Sequence, residues 1–361
     1  MSEKEYNISP NRIFTNSERV KYGYYQYMDR LFSRERVFKW HYNSRRKLFS
    51  NLHKRLKNKG NKGKVIPIKR VKSITEKEFQ KNYIQKGIPV VIEGGAKDWS
   101  CVKNWDLDYF KNLYGDEKIL LVDHEKIESA YEDITLREVL DNIQNDNNKY
   151  YRFYPLLTRH PEHIKDFDYN WILKCRNKIA WNENFQVFIG GENSYTPLHN
   201  ASANNIFTQA HGTKEWYLYH PYYTMIFDPD PAQNVYRNAS YRQGGKVYNP
   251  FEPDFKTHPL FEYIDTVHVI LEEGDLLYNP PYWWHAVRNL SDSIGVGYRW
   301  LSPMQSFKTA PVYFSLDMTV VNPTIWKSNL LAKEDINLIH LAQTGQLEEY
   351  LANKTDRSKI V

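Results

Sequence analysis

Short apolar runs broken by Gly, Pro and Asn dominate the middle of the chain. The β-branched run Val90-Val91-Ile92, closed by Gly94-Gly95, reads as a buried strand and its turn. Similar runs predict strands at Ile119–Val122, Tyr150–Phe153, Phe185–Ile189, Ile206–Gln209 and Trp216–Tyr219. The series continues with Val267–Leu271, Asp275–Asn279, His285–Val287 and Ile294–Trp300. Helical spacing appears at Thr75–Lys86 and Leu107–Leu113. Many short strands with this punctuation imply a sandwich or barrel.

The flanks have a different texture. Near the start, Leu48, Phe49, Leu52 and Leu56 fall on one face of a helix. Gly60 and Gly63 then read as a flexible linker. After Phe307, the run INLIHLAQTGQLEEYLA is helical in pattern and is expected to cap the barrel or to pair two copies as a homodimer. The chain therefore divides into a basic helical extension (1–65), a barrel domain (66–303) and a C-terminal helical segment (304–361). No solenoid repeat occurs.

Composition narrows the class. With 41% hydrophobic and 25% charged residues over 361 positions, the chain has the balance of a globular protein, which excludes collagen and wholesale disorder. No apolar run is long enough for a transmembrane helix, and the first thirty residues lack a cationic start followed by an apolar stretch. Two cysteines, Cys101 and Cys175, provide neither a disulfide framework nor a thiolate cluster, so a cytoplasmic address is expected.

The net charge of +6 is concentrated in one place: from Arg34 to Lys72 there are fifteen Lys and Arg against one acid, Glu35. A docking helix with a solvated basic face, a membrane-surface helix and a nucleic-acid arm compete for that segment. Docking on the parent domain is the preferred reading, because apolar residues at helical spacing usually pack, and no nucleic-acid partner is assigned.

Two stretches carry the candidate chemistry. The first runs from Tyr195-Thr196-Pro197-Leu198-His199-Asn200-Ala201 through Asn205 and Gln209 to Gly212-Thr213-Lys214. The second is GDLLYNPPYWWHAV, in which an apolar strand is stopped by Pro280-Pro281 and His285 opens the next strand. Two histidines aimed into one lumen make a metal half-site, and imidazole suits iron, zinc or copper.

On these residues, from Ile66 to Pro303, the chain resembles the JmjC or cupin-like iron(II)/2-oxoglutarate oxygenases. That resemblance implies a mainly β fold with flanking helices, the double-stranded β-helix (jelly-roll). It implies His199 and His285 as iron ligands and Lys214 as partner of the far carboxylate of 2-oxoglutarate. Thr196 and Asn205 would help to hold the cosubstrate, O2 would be consumed, and Tyr151 and Arg152 would line the pocket wall. A buried lysine is a sensible carboxylate anchor in its own right.

The sequence departs from the family at the acid of the facial triad, two residues after the first histidine, where Ala201 stands. Asn200 is no substitute, because in a strand it points to the opposite face. Three readings follow. Chloride fills the vacancy, as in radical halogenases, where Ala or Gly replaces the acid. Alternatively, the site is a binding module without catalysis, or it hydroxylates with two protein ligands. Survival of both histidines, Lys214, Thr196 and Asn205 favours the halogenase, acting on an amino acid, peptide or similar small molecule.

The remaining candidates carry blander expectations. His211 is the first remote ligand to suspect, though a strand histidine facing elsewhere is the simpler reading. Arg299 is expected at the surface unless the register turns it inward. Asp228 and Asp230 resemble a second metal site but sit among prolines, as turn residues do. Trp283 and Trp284 read as packing residues.

Overall fold

A computed structural model describes residues 8–122, 131–144, 150–154, 156–231, 236–239, 242–243, 246–319, 341 and 344–352. The strands are β1 (Val65–Pro67), β2 (Arg70–Val71), β3 (Val90–Ile92), β4 (Lys118–Val122), β5 (Tyr131–Thr135), β6 (Tyr150–Tyr154), β7 (Trp181–Gly190), β8 (Tyr195–Ala201) and β9 (Asn204–His211). They continue as β10 (Lys214–Tyr219), β11 (Tyr236–Asn238), β12 (Arg242–Gln243), β13 (Lys246–Val247), β14 (Thr266–Leu271), β15 (Leu276–Asn279), β16 (Trp284–Asn289) and β17 (Ser293–Leu301).

Two sheets face each other, in the orders β1-β14-β10-β16-β8-β11 and β2-β3-β15-β9-β17-β7-β6. From β7 to β10, and again from β14 to β17, the chain changes sheet at every step. That alternation winds it into the jelly-roll expected from the sequence. The strands pair antiparallel throughout its centre, so each inward position on one strand meets an inward position on its neighbour.

One face of each sheet makes the lumen, where Phe188, Phe207, Trp216, Leu218, Val267, Val269, Leu271 and Leu277 pack. The outer face of the seven-stranded sheet packs Val187, Ile189, Ile206, Val296 and Trp300 against Phe110, Leu136, Leu140 and other helical residues. Leu347, from the C-terminal segment, is buried in that same cluster, so this part of the segment is used within its own chain. Residues 320–340, which include the start of the apolar run expected to cap or dimerise, lie outside the described residues.

The N-terminal extension forms two helices, α1 (Asn16–Phe32) and α2 (Arg34–Lys59). Thr15 and Glu18 close a capping box that starts α1: each side chain accepts the other's backbone N–H, at 3.2 and 2.8 Å. Leu48, Phe49, Leu52 and Leu56 of α2 bury against Tyr263, Ile264 and the outer face of the six-stranded sheet. Burying each leucine stabilises the docked helix by about 2 kcal/mol.

Gly60 ends α2 in the left-handed conformation at φ 69°. The expected flexible linker is not found. The Gly63 N–H donates to Glu262 O at 2.9 Å, and a Cβ there would stand 2.0 Å from Ile264 O. Glycine is present at that position for close backbone approach.

Candidate metal centre

β8 and β16 lie side by side with His199 and His285 directly opposite, their ring centroids 4.1 Å apart. Both side chains are buried. A register shift between His285 and Val287 brings Thr196 into line with Val287, so Thr196 and His199 share the lumen face.

Each ring is locked in the same way. The His199 Nδ1 lies 2.8 Å from Pro197 O and the His285 Nδ1 lies 2.9 Å from Trp283 O. A carbonyl only accepts, so each Nδ1 carries the proton and the lone pair of each ring is on Nε2. Burial depresses the His285 pKa to about 4, with the Arg299 charge adding to the effect and the Trp283 carbonyl opposing it. The imidazole is therefore neutral, the form that binds a metal. Trp216 stacks on His285 at 5.6 Å, and the buried Asn279 side chain lies beside the same Nδ1, where its amide oxygen is the atom able to accept from Nδ1–H.

Lys214 opens β10 and is fully buried. Its Nζ donates to Asn289 Oδ1 and, at 2.7 Å, to Ser293 Oγ, both neutral acceptors. Desolvation pulls its pKa down to about 7. A dianionic ligand reaching this ammonium would offset that burial cost.

Beside this lysine, two glycines of β17 let lumen side chains pack directly onto the backbone. Gly295 and Gly297 stand opposite Gln209 and Phe207 on the lumen face. A Cβ at Gly295 would sit 2.2 Å from Phe207 Cζ and 3.1 Å from Lys214 Cε, and one at Gly297 would sit 2.9 Å from Asn205 Oδ1. Asn205 is itself buried, and its Oδ1 has no hydrogen-bond partner among the described residues. A buried amide oxygen without a protein donor calls for one from a ligand or a water.

Ala201 lies two residues after His199 on the same strand and faces the same side. Asn200 is buried on the other face and directs its amide to Tyr282 O at 3.5 Å, as alternation requires. Among the described residues no group of three His, Cys, Asp or Glu is positioned to hold a metal. The donor set is two imidazoles, which suits a divalent transition metal whose other positions are filled by ligand oxygens.

Other expectations resolve as follows. His211 sits at the end of β9 with Nδ1 3.2 Å from Glu273 Oε2, away from the histidine pair, and is no remote ligand. Asp228 adopts φ 41° and binds Arg34 at 2.5 Å and Arg45 at 3.5 Å, so it belongs to a buried ion network and not to a second metal. Trp283 and Trp284 donate to Gly87 O and Thr224 Oγ1 as packing residues.

Arg299 does not take the expected surface position. It pairs with Asn205 in register, and its guanidinium lies 5.7 Å from the Phe188 ring inside the barrel. Tyr151 and Arg152 lie on β6 opposite Ile189 and Phe188, and their side chains lie outside the described residues. Trp216, Asn279, Asn289 and Ser293 went unremarked in the sequence. Strand alternation counted from Lys214 and His285 could have found Trp216 and Asn289; Asn279 and Ser293 lie on other strands and gave no such signal.

The fold defines a cupin-type barrel, with the paired histidines as its candidate metal site. The chain belongs to the cupin-like domain family, whose model matches residues 76–306. It is similar to JmjC domain-containing protein D of Dictyostelium discoideum, at 29% identity over 266 residues covering 65% of this chain and 56% of that protein. It is also similar to lysine-specific demethylase JMJ30 of Arabidopsis thaliana, at 27% identity covering 63% of this chain and 53% of that one. The tRNA wybutosine-synthesizing protein 5 of Mus musculus is 21% identical, over 70% of this chain and 84% of its own. The chain spans about half the length of the first two of these relatives.

Proposed function

We propose that the protein is an iron(II)- and 2-oxoglutarate-dependent oxygenase that hydroxylates a protein or amino-acid side chain, with two histidines as its protein ligands. The observation that carries this reading is the in-register pair His199 and His285, buried on the lumen face, each with Nδ1 tied to a carbonyl so that the lone pair is on Nε2. When bound, the iron with 2-oxoglutarate and O2 supplies oxidation of an unactivated C–H bond and decarboxylation of the cosubstrate to succinate.

The chain's own residues hold and orient. His199 and His285 would hold the metal. The Lys214 ammonium would bind the far carboxylate, with Thr196 and Asn205 completing the cosubstrate pocket. Trp216 and Phe207, packed at 4.9 Å, keep bulk water from the histidines. The Arg299 charge favours anionic ligands in the same lumen.

Chlorination is the second reading, and Ala201 is its support: a methyl group there leaves room for chloride. Relatives named as lysine- and arginine-specific demethylases favour oxidation of a protein side chain instead. An anaerobic titration with iron(II) and 2-oxoglutarate, followed by visible absorbance in chloride and chloride-free buffer, tests both. A charge-transfer band indifferent to chloride is expected. A band that tightens with chloride would move the assignment to the halogenase, and no band would make the barrel a binding module.

A further inference from the structure

α2 uses one face for packing and leaves the other to solvent. Its buried stripe, Val37, Arg45, Leu48, Leu52 and Leu56, lies against α1 and the barrel. Directly opposite, at helical spacing, stand Arg36, Lys39, Arg46, Lys47, Lys54 and Lys57, all exposed. None of the six is in an ion pair with a described residue, and no Asp or Glu occurs between Arg36 and Lys64. The stripe runs for about 30 Å at 1.5 Å per residue. Trp40 stands on the same face with 73% of its surface exposed.

We infer that this face of α2 docks a folded RNA: its cations follow the phosphate backbone and Trp40 stacks on an unpaired base. The inference is independent of the metal-site reading, since the stripe lies outside the barrel and outside the family match.

Three features select this occupant. A row of cations with no interleaved acid repels itself and is complementary to a continuous polyanion. An interfacial membrane helix needs a free apolar face, whereas the apolar face of α2 is already buried against the barrel. An exposed indole between cations is a stacking platform, and unpaired bases are found in RNA loops rather than in a DNA duplex.

The test uses the full chain and a fluorescein-labelled RNA stem–loop, read by anisotropy across ~50 to ~200 mM salt. About six phosphate contacts predict a log–log salt slope of about −4 to −5. The triple variant Lys39→Glu/Lys47→Glu/Lys54→Glu should lose about 100-fold in affinity with an unchanged thermal melt, because all three side chains are solvated. Trp40→Ala should weaken stem–loop binding about tenfold and leave binding to a blunt DNA duplex unchanged.

The inference is overturned if the triple variant binds RNA like the wild type. It is equally overturned if Trp40→Ala has no selective effect on the stem–loop. Binding of phosphatidylserine vesicles in preference to RNA would reassign the face to a membrane. A His285→Ala chain should still bind RNA, which separates this result from the fate of the metal centre.

Discussion

His285 stands opposite His199 in antiparallel register, and both rings donate Nδ1–H to the carbonyl two residues earlier in the chain. In both rings a backbone carbonyl fixes Nδ1 and so helps to set the orientation. Replacing either ring with alanine removes half of the proposed protein donor set. His285→Ala should abolish the iron(II)/2-oxoglutarate absorbance band and turnover. Asn279→Ala, which takes away only a neighbour of Nδ1, should cost about 10-fold in metal affinity. Anaerobic titration of the three proteins checks this, and an intact band without His285 would remove the metal assignment.

Ala201 offers a gain-of-ligand experiment. A carboxylate at this position starts from the same strand face as His199 and needs no change of backbone. Ala201→Asp should therefore tighten manganese(II) or iron(II) binding by at least about tenfold, on the strength of one added anionic ligand. Calorimetry on both proteins gives the answer. Equal affinities would show that position 201 does not face the metal.

Lys214 makes a pH prediction. Its folded pKa, near 7, lies below the ordinary lysine value because the ammonium is desolvated. Between about pH 7 and 10 the unfolded chain holds a proton on this group that the ligand-free folded chain has released. Stability of the ligand-free protein attributable to Lys214 is thus lowest below pH 7 and rises as pH climbs through that window. A bound carboxylate reverses the preference, so 2-oxoglutarate should bind more weakly as pH rises above 7. Urea unfolding and cosubstrate titrations at several pH values, with Lys214→Met as control, read both slopes. Slopes that persist in Lys214→Met would rule this lysine out as their source.

The histidine motifs were readable because each is punctuated locally. Pro280-Pro281 stops one strand before His285, and the glycine turn at Gly212 places Lys214 at the head of the next. Arg299 was not readable. Its direction depends on the register of β17, which is anchored by Gly295 and Gly297 against Phe207 and Asn205, contacts far apart in sequence. α1 was missed because Tyr22, Tyr25, Gln26 and Asp29 supply its buried face, a stripe that apolar periodicity does not register. Composition also misled at Gly63, where a residue typical of linkers serves a tight contact. The halogenase expectation rested on Ala201 amid an otherwise retained site, and one small side chain does not separate an anion site from a water site.

A last relationship ties the histidine strand to the C-terminal helices. Tyr282 adopts φ 63°, an unusual conformation for a tyrosine, three residues before His285. Its N–H donates to Ala201 O at 2.7 Å and its hydroxyl donates to Asp317 Oδ2 at 2.7 Å. Asp317 in turn pairs with Arg237, which lies beside Asn200 on β11, and both side chains are wholly buried. Asp317 thus fixes the segment that carries His285 and the strand edge beside Ala201 at once. Asp317→Ala leaves the Arg237 charge buried without its carboxylate, which should cost about 3–5 kcal/mol. The paired change Asp317→Leu/Arg237→Met removes both charges and should recover most of that loss, because no buried ion is left behind. Tyr282 still lacks its acceptor in the double variant, so its conformation is less constrained. Metal affinity should therefore stay reduced after stability has returned. Denaturant melts and metal titrations on the same two proteins separate these effects; recovery of both together would show that Asp317 acts on stability alone.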